Sequence, residues 1–378
     1  MIELVGKYNK AFVMIDNIDE ATLSQIYSFL NHPAYKNIKI VIMPDTHAGA
    51  GSVIGYTSTM NEFIVPNCVG VDIGCSVESY LLGEFLIDFE KFDGFVRKHI
   101  PFGHNNREKT HSFVSEKDNR ALMSNVDGIV EKIGLDREKV HHAIGSLGGG
   151  NHFIEIDKDA QGRKWLVLHS GSRNFGFRVA TYHQKKAKIY MQEIYGTIAA
   201  YKDSEYLAGS DAEEYFDDMR VAQKYAELNR KVMAMVMLQD FFGLKYQNVE
   251  RIFAVHNYID FKDEMIRKGA ISAKRNERVL IPFNMRDGVA VGTGKGNEDW
   301  NNSAPHGAGR LLARNQAKKI LSLEQYREQM KGIWTSCVSK DTLDEAPGAY
   351  KDSQMIIKSI QETVDIDFLM KPVYNFKA

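Results

Sequence analysis

The sequence predicts an α+β fold, and three observations carry that expectation. Short apolar runs of strand length and longer amphipathic runs follow one another irregularly, without the strict alternation that builds a doubly wound parallel sheet. Hydrophobic residues make up 44% and charged residues 26% of the 378 positions, enough apolar side chain for a substantial core. The chain also shows no internal repeat, no low-complexity tract and no linker-like segment.

Taken in order, residues 21–31 predict a short helix, and Ile38 to Met43 a buried strand ending at Pro44, which cannot donate to a ladder. Asp45-Thr46-His47-Ala48-Gly49-Ala50-Gly51 has the composition of a turn that presents polar groups at a strand end. Val77 to Leu82 predicts another strand and residues 86–99 a helix, while the polar run 104–120 predicts an exposed loop. Lys164 to His169 is strand-like and leads into the loop Ser170-Gly171-Ser172-Arg173. Long helices are expected over roughly 175–195 and from about Glu213 to Phe242. Arg251 to His256 predicts a strand closing on a histidine, the glycine-dense stretch 284–310 a loop region, and Phe368 to Phe376 a final strand.

Charge and cysteine usage narrow the class. A formal net charge of -1 advertises no global field for nucleic acid, although a local groove of Lys and Arg can bind phosphates on a neutral protein. Three cysteines (Cys68, Cys75 and Cys337) are too few for a disulfide framework. The first residues lack an apolar signal region and no later stretch approaches a membrane span, so a cytoplasmic protein with no membrane contact is expected.

The chemistry concentrates around Cys75, which closes Gly70-Val71-Asp72-Ile73-Gly74-Cys75. A thiolate and a carboxylate that close together suit a metal ion or an activated nucleophile. His152 follows Gly148-Gly149-Gly150-Asn151, and His169 and His256 each close a strand. One carboxylate, one thiolate and three imidazoles exceed the needs of a tetrahedral site but suit two ions sharing a ligand. The plainer reading, separate loop or core histidines, stays open, because the spacing is not a local motif. His306-Gly307-Ala308-Gly309-Arg310 is a second signal: glycines admit a ligand close to the backbone, arginine clamps phosphate, and histidine can attack phosphorus. Its plainer reading is a tight turn with an exposed histidine. Gly292-Thr293-Gly294-Lys295-Gly296 looks like a phosphate loop but lacks the required spacing. Arg173 sits in a Gly/Ser turn that suits a phosphate contact, whereas Arg178, Lys185, Lys186 and Lys188 read as a solvated helix face.

Together with Met43-Pro44-Asp45-Thr46-His47, Phe153-Ile154-Glu155 after His152, Asn257 after His256, and Glu345-Ala346-Pro347-Gly348-Ala349-Tyr350-Lys351-Asp352, these segments resemble, in order, the RtcB family of RNA ligases. The family joins RNA 3'-phosphate or 2',3'-cyclic phosphate ends to 5'-hydroxyl ends. The resemblance implies one Mn2+ on Cys75, His169 and His256 and a second on Asp72, Cys75 and His152, with Cys75 bridging. It implies that His306 is the guanylylated nucleophile, using GTP. Asn151, Glu155, Lys377, Tyr350, Gly307, Ala308 and Gly309 would bind the nucleotide, with Arg173 and Arg310 near nucleotide and RNA phosphates and Asp45 a carboxylate beside the site. Ligand chemistry alone favours Zn2+ at such a Cys/His set, so Mn2+ rests on the resemblance. Also implied are one RtcB-like domain over residues 1–378, with mixed and antiparallel sheets flanked by helices around one deep pocket, acting as a monomer in RNA repair or tRNA splicing, with an archease-like activator as a partner. Alternatives on the same scaffold are a metal-dependent 2',3'-cyclic phosphodiesterase and an RNA-end-binding protein. Two departures stand out: Ile281 to Gly288 differs from the family's Pro-Gly-Ser-Met-Gly type of loop, and the chain is compact, which predicts trimmed peripheral RNA contacts.

Overall fold

The computed structural model describes residues 1–196 and 202–377. Two sheets organise them. The larger runs, in spatial order, Arg251–Val255, Ser76–Gly83, Lys164–Ser170, Phe153–Lys158, Val364–Lys377, Gly288–Gly294 and Arg278–Asn284, all antiparallel, with Trp334–Thr335 pairing in parallel beside Val364–Lys377. The second runs Ile2–Val5, Lys10–Val13, Ile40–His47, Ile54–Thr59, Met265–Lys268 and Asn257–Asp260, with one parallel pair between Lys10–Val13 and Ile40–His47. The α+β expectation with mixed and antiparallel sheets therefore holds. Among the described residues no helix is long and apolar enough to cross a membrane.

Local chemistry sets the helices. Asp19 opens Glu20–Leu30 by accepting from Thr22 N at 3.0 Å, and Asp88 opens Phe89–His99 by accepting from Lys91 N at 3.1 Å. Arg173–Tyr195 and Gly209–Met235 lie side by side, and the latter buries Tyr215, Met219, Tyr225 and Val232. One apolar core joins these helices to the smaller sheet. A second fills the space between the large sheet's central strands and the hairpin Arg278–Asn284/Gly288–Gly294.

Two elements differ from expectation. Pro44 does not end its strand, which continues to His47. The ladder to Ile54–Thr59 holds at Ile40–Ile42, shifts, and resumes at His47, so Pro44 lies where a missing N–H loses no rung. The stretch 284–310 is not all loop, because Gly288–Gly294 is a strand paired on both sides. Its glycines mark close packing rather than a turn: a Cβ on Gly292 would lie 2.6 Å from the Asp365 carbonyl oxygen.

Candidate active site

Strand register gathers the candidate ligands. Ser76 pairs with Val255 on one side and with Ser170 on the other, and His169 pairs with Phe153. Cys75, His256, His169 and His152 therefore fall at one end of four adjacent strands. His256 also occupies the single step between a strand of the large sheet and Asn257–Asp260 of the smaller one, which places the cluster where the two sheets meet.

The donor atoms form a chain with the thiol at its centre. His256 Nε2 lies 3.2 Å from His169 Nε2, which lies 3.1 Å from Cys75 Sγ. Cys75 Sγ lies 3.3 Å from His152 Nε2, and that atom 2.9 Å from Asp72 Oδ2. The donor atoms of Cys75, His152 and His169 all lie within 4.8 Å of one another, a group that could hold a metal ion. His169 Nδ1 sits 3.1 Å from the Asn151 carbonyl, to which it must donate, leaving a lone pair on Nε2 in the ligating form. Burial and the adjacent imidazoles push His169 and His256 well down, and burial with Asp72 pushes the Cys75 thiol up. Burial would raise Asp72, but His152 beside it brings the carboxyl down to about 2. A divalent cation would convert the thiol to a thiolate and leave the imidazoles neutral, so this donor set fits a metal.

The helix Gly209–Met235 holds the cluster from behind. Arg230 donates to the carbonyls of Gly74 (2.6 Å) and Ser170 (3.0 Å) and to Glu78 (2.6 Å). Asn229 accepts from Gly145 N and Ser146 N and donates to the Gly171 carbonyl. Both side chains are buried and tie the loops carrying Asp72, His152 and His169 to one rigid element.

A cavity of about 750 Å³ opens from this edge. It is lined by Asn151, Glu155, His306, Gly307, Ala308, Gly309, Arg310, Tyr350 and Lys377, so nearly every candidate nucleotide residue converges on it. Asp45 is fully buried behind His306, its Oδ2 2.7 Å from His306 Nδ1. Gly309 makes that approach possible, with φ +74° and the Asp45 carbonyl oxygen 2.0 Å from where a Cβ would stand. The His306 ring centroid lies 5.0 Å from that of His256, so the histidine adjoins the donor chain. Glu345 gathers the cations: Lys377 Nζ at 2.7 Å, Arg314 at 2.6 Å and Arg310 at 3.3 Å, with Tyr350 Oη at 2.5 Å. Burial would raise its carboxyl, but Lys377 and Arg314 hold it well below the usual range. Glu155 accepts from Asn375, and burial pushes it up to about 7.

Arg173 is placed apart. It lines a second cavity of about 620 Å³ that shares Asp72 with the first and also contains His152. Its guanidinium donates to Ser146 Oγ (3.0 Å) and the Gly103 carbonyl (2.6 Å). Gly292 to Gly296 does not line the main cavity, and Lys295 Nζ bonds the Gln361 carbonyl at 2.6 Å, so that run is a strand end and no phosphate loop. Lys186 pairs with Asp211 and Glu214, while Arg178 and Lys185 are exposed, as a solvated face requires. Pro282 to Met285 form part of the cavity wall in a turn fixed by Asn284 Oδ1, which accepts from Arg286 N and Asp287 N. Sequence reasoning missed Arg314, which opens the helix Arg314–Ile320 and reaches Glu345. It also missed Lys351, whose Nζ holds the Pro44 and Thr46 carbonyls at 3.2 and 2.7 Å.

Comparison with known proteins gives one family. A family model described as "tRNA-splicing ligase RtcB" matches residues 25–378. The chain is 31% identical over 379 residues to the RNA-splicing ligase RtcB of Escherichia coli (strain K12), covering 90% of each. It is 26% identical over 370 residues to RNA-splicing ligase RtcB2 of Escherichia coli (strain ATCC 25922), covering 91% of this chain and 88% of that protein. It is 27% identical over 398 residues to the tRNA-splicing ligase RtcB of Aeropyrum pernix, covering 82% of each.

Proposed function

Because the chain belongs to the RtcB family, we propose that it is an RNA ligase joining 3'-phosphate or 2',3'-cyclic phosphate ends to 5'-hydroxyl ends with GTP as co-substrate. The observation that carries this reading is the His306–Asp45 pair at the wall of a cation-lined cavity beside the Cys/His edge. A carboxylate accepting from Nδ1–H leaves the Nε2 lone pair for attack and stabilises the charge that develops on the ring, as a general base is oriented in hydrolases.

In this scheme His306 Nε2 attacks the α-phosphorus of GTP, the bond to the β-phosphate oxygen breaks, and pyrophosphate leaves. Arg310, Arg314 and Lys377, already arrayed around Glu345, face the charge spread over the phosphoryl oxygens. Asn151 and Glu155, at the start of the Phe153–Lys158 strand beside Lys377, contact the guanine nucleotide. An oxygen of the RNA 3'-phosphate then displaces His306 from the guanylate, giving an RNA-3'-pp-5'-G end. Attack by a 5'-hydroxyl on the RNA phosphorus expels GMP and closes the phosphodiester. Cys75, His169 and His256 would hold one Mn2+, and Asp72, Cys75 and His152 the other, supplying Lewis-acid neutralisation of phosphoryl charge. Arg173, in the cavity beyond Asp72, is assigned to RNA phosphate.

The test is incubation with labelled GTP and Mn2+. The wild type should acquire an acid-labile guanylate and His306→Ala none. An unlabelled wild type, or an equally labelled variant, would sink the reading. A cyclic phosphodiesterase would instead open 2',3'-cyclic ends without GTP and be indifferent to His306, and an end-binding protein would do neither.

A further inference from the structure

One imidazole on the cavity wall has no part in these steps. His47 ends the Ile40–His47 strand and lines the same cavity as His306. Its Nδ1 lies 3.0 Å from the carbonyl oxygen of Asp45, so Nδ1 carries the proton and Nε2 the lone pair. That Nε2 has no hydrogen-bond partner among the described residues and is not among the sealed-off buried atoms. The charged and titratable groups facing the ring are the Asp45 carboxylate, the His306 imidazole and Lys351, with Asp19 on the same cavity wall. Burial, with His306 and Lys351 adding to it, lowers its pKa to about 4, so the ring meets substrate neutral. Anionic phosphates entering the cavity then raise its proton affinity.

The chemistry supplies a use for such a group. In the proposed sequence His306 attacks through a lone pair and the RNA 3'-phosphate attacks as an anion; neither needs to lose a proton. The 5'-hydroxyl does. The other bases at the cavity are committed: Asp45, behind its wall, to His306, Asp19 to Thr22, Glu345 to three cations, Glu155 to Asn375, and the remaining imidazoles to the donor chain. The volume, about 750 Å³, is large for a guanylate alone and leaves room for an RNA terminus beside it.

We propose that His47 is the general base of the sealing step, its Nε2 contacting the 5'-hydroxyl of the incoming RNA. This rests on the ligase reading above. As the 5'-oxygen forms its bond to the RNA 3'-phosphorus, its proton passes to Nε2. The bond from that phosphorus to the bridging oxygen breaks, and GMP leaves with the electron pair. The imidazolium returns its proton to solvent.

The experiment supplies RNA already carrying the 3'-pp-5'-G end, with a 5'-hydroxyl partner, and measures single-turnover sealing separately from labelling by GTP. His47→Asn keeps an N–H where Nδ1 donates to Asp45 and removes the base. It should label within threefold of wild type and seal about 100-fold or more slowly. In His47→Ala, added imidazoles should restore sealing, more strongly as their pKa rises. Wild-type sealing by His47→Asn, labelling lost in step with sealing, or sealing that no imidazole restores would each overturn the assignment. A wild type that seals the pre-activated end but takes no label from GTP would instead fail the guanylylation reading and leave the His47 step standing.

Discussion

Asp45 and Cys75 show two ways in which a single side chain sets the chemistry of others. Asp45 has no contact with the cavity; it acts by fixing which nitrogen of His306 carries the proton. Asp45→Asn presents an N–H to Nδ1, forces the proton onto Nε2, and should cut guanylate labelling by about 100-fold or more with the fold intact, read by labelling rate and circular dichroism. Cys75 is the middle of the donor chain, so Cys75→Ala should lower bound metal by more than His152→Ala does. Elemental analysis of the two purified variants checks this, and equal residual metal would count against a shared ligand. These residues were legible in the sequence because few roles suit Cys, His and Asp beside glycine. Arg173 was only half legible: its turn composition was informative, but its nearest partners are the Gly103 carbonyl and Ser146, which no local pattern announces. Arg314 was missed because its partner, Glu345, lies 31 residues away.

Among the elements, the helix Gly209–Met235 was foreseen as a helix but not as the support of the site. Its apolar periodicity is interrupted by Asn229 and Arg230, and that interruption is the functional part, since both side chains grip carbonyls of the ligand loops. Removing Arg230 leaves Glu78, fully buried, with Arg251 and Tyr80 as its remaining partners. Arg230→Met should therefore cost about 3 kcal/mol in urea unfolding with an unchanged m-value, and should lower metal occupancy too. A change under about 0.5 kcal/mol would show the pair to be dispensable. The strands were legible by their apolar runs, but their bounds were not. Pro44 and the glycines of Gly288–Gly294 read as terminators, and each is tolerated because of what lies across the ladder: a register shift in one case, a close backbone in the other.

At the scale of the whole molecule, His47, Asn151, His306 and Lys377 reach one cavity from segments spread along the chain, and on that ground we propose a single folding unit over residues 1–378 rather than the several domains its length allows. Thermal unfolding followed by tryptophan fluorescence (Trp165, Trp300 and Trp334) and by far-ultraviolet circular dichroism should give the same midpoint; two separated transitions would reject one unit. The convergence was legible only through the ordered motifs, because no spacing within a segment reveals which strand lies beside which. The strand Val364–Lys377 shows the point most clearly. It lies inside the large sheet, between Phe153–Lys158 and Gly288–Gly294, delivers Lys377 to the cavity and brings Asn375 onto Glu155. All five donors of the Cys/His edge precede it by more than a hundred residues. On the proposed function, a nascent chain therefore carries all five proposed metal donors well before Lys377, and with it this part of the cavity wall, has been synthesised.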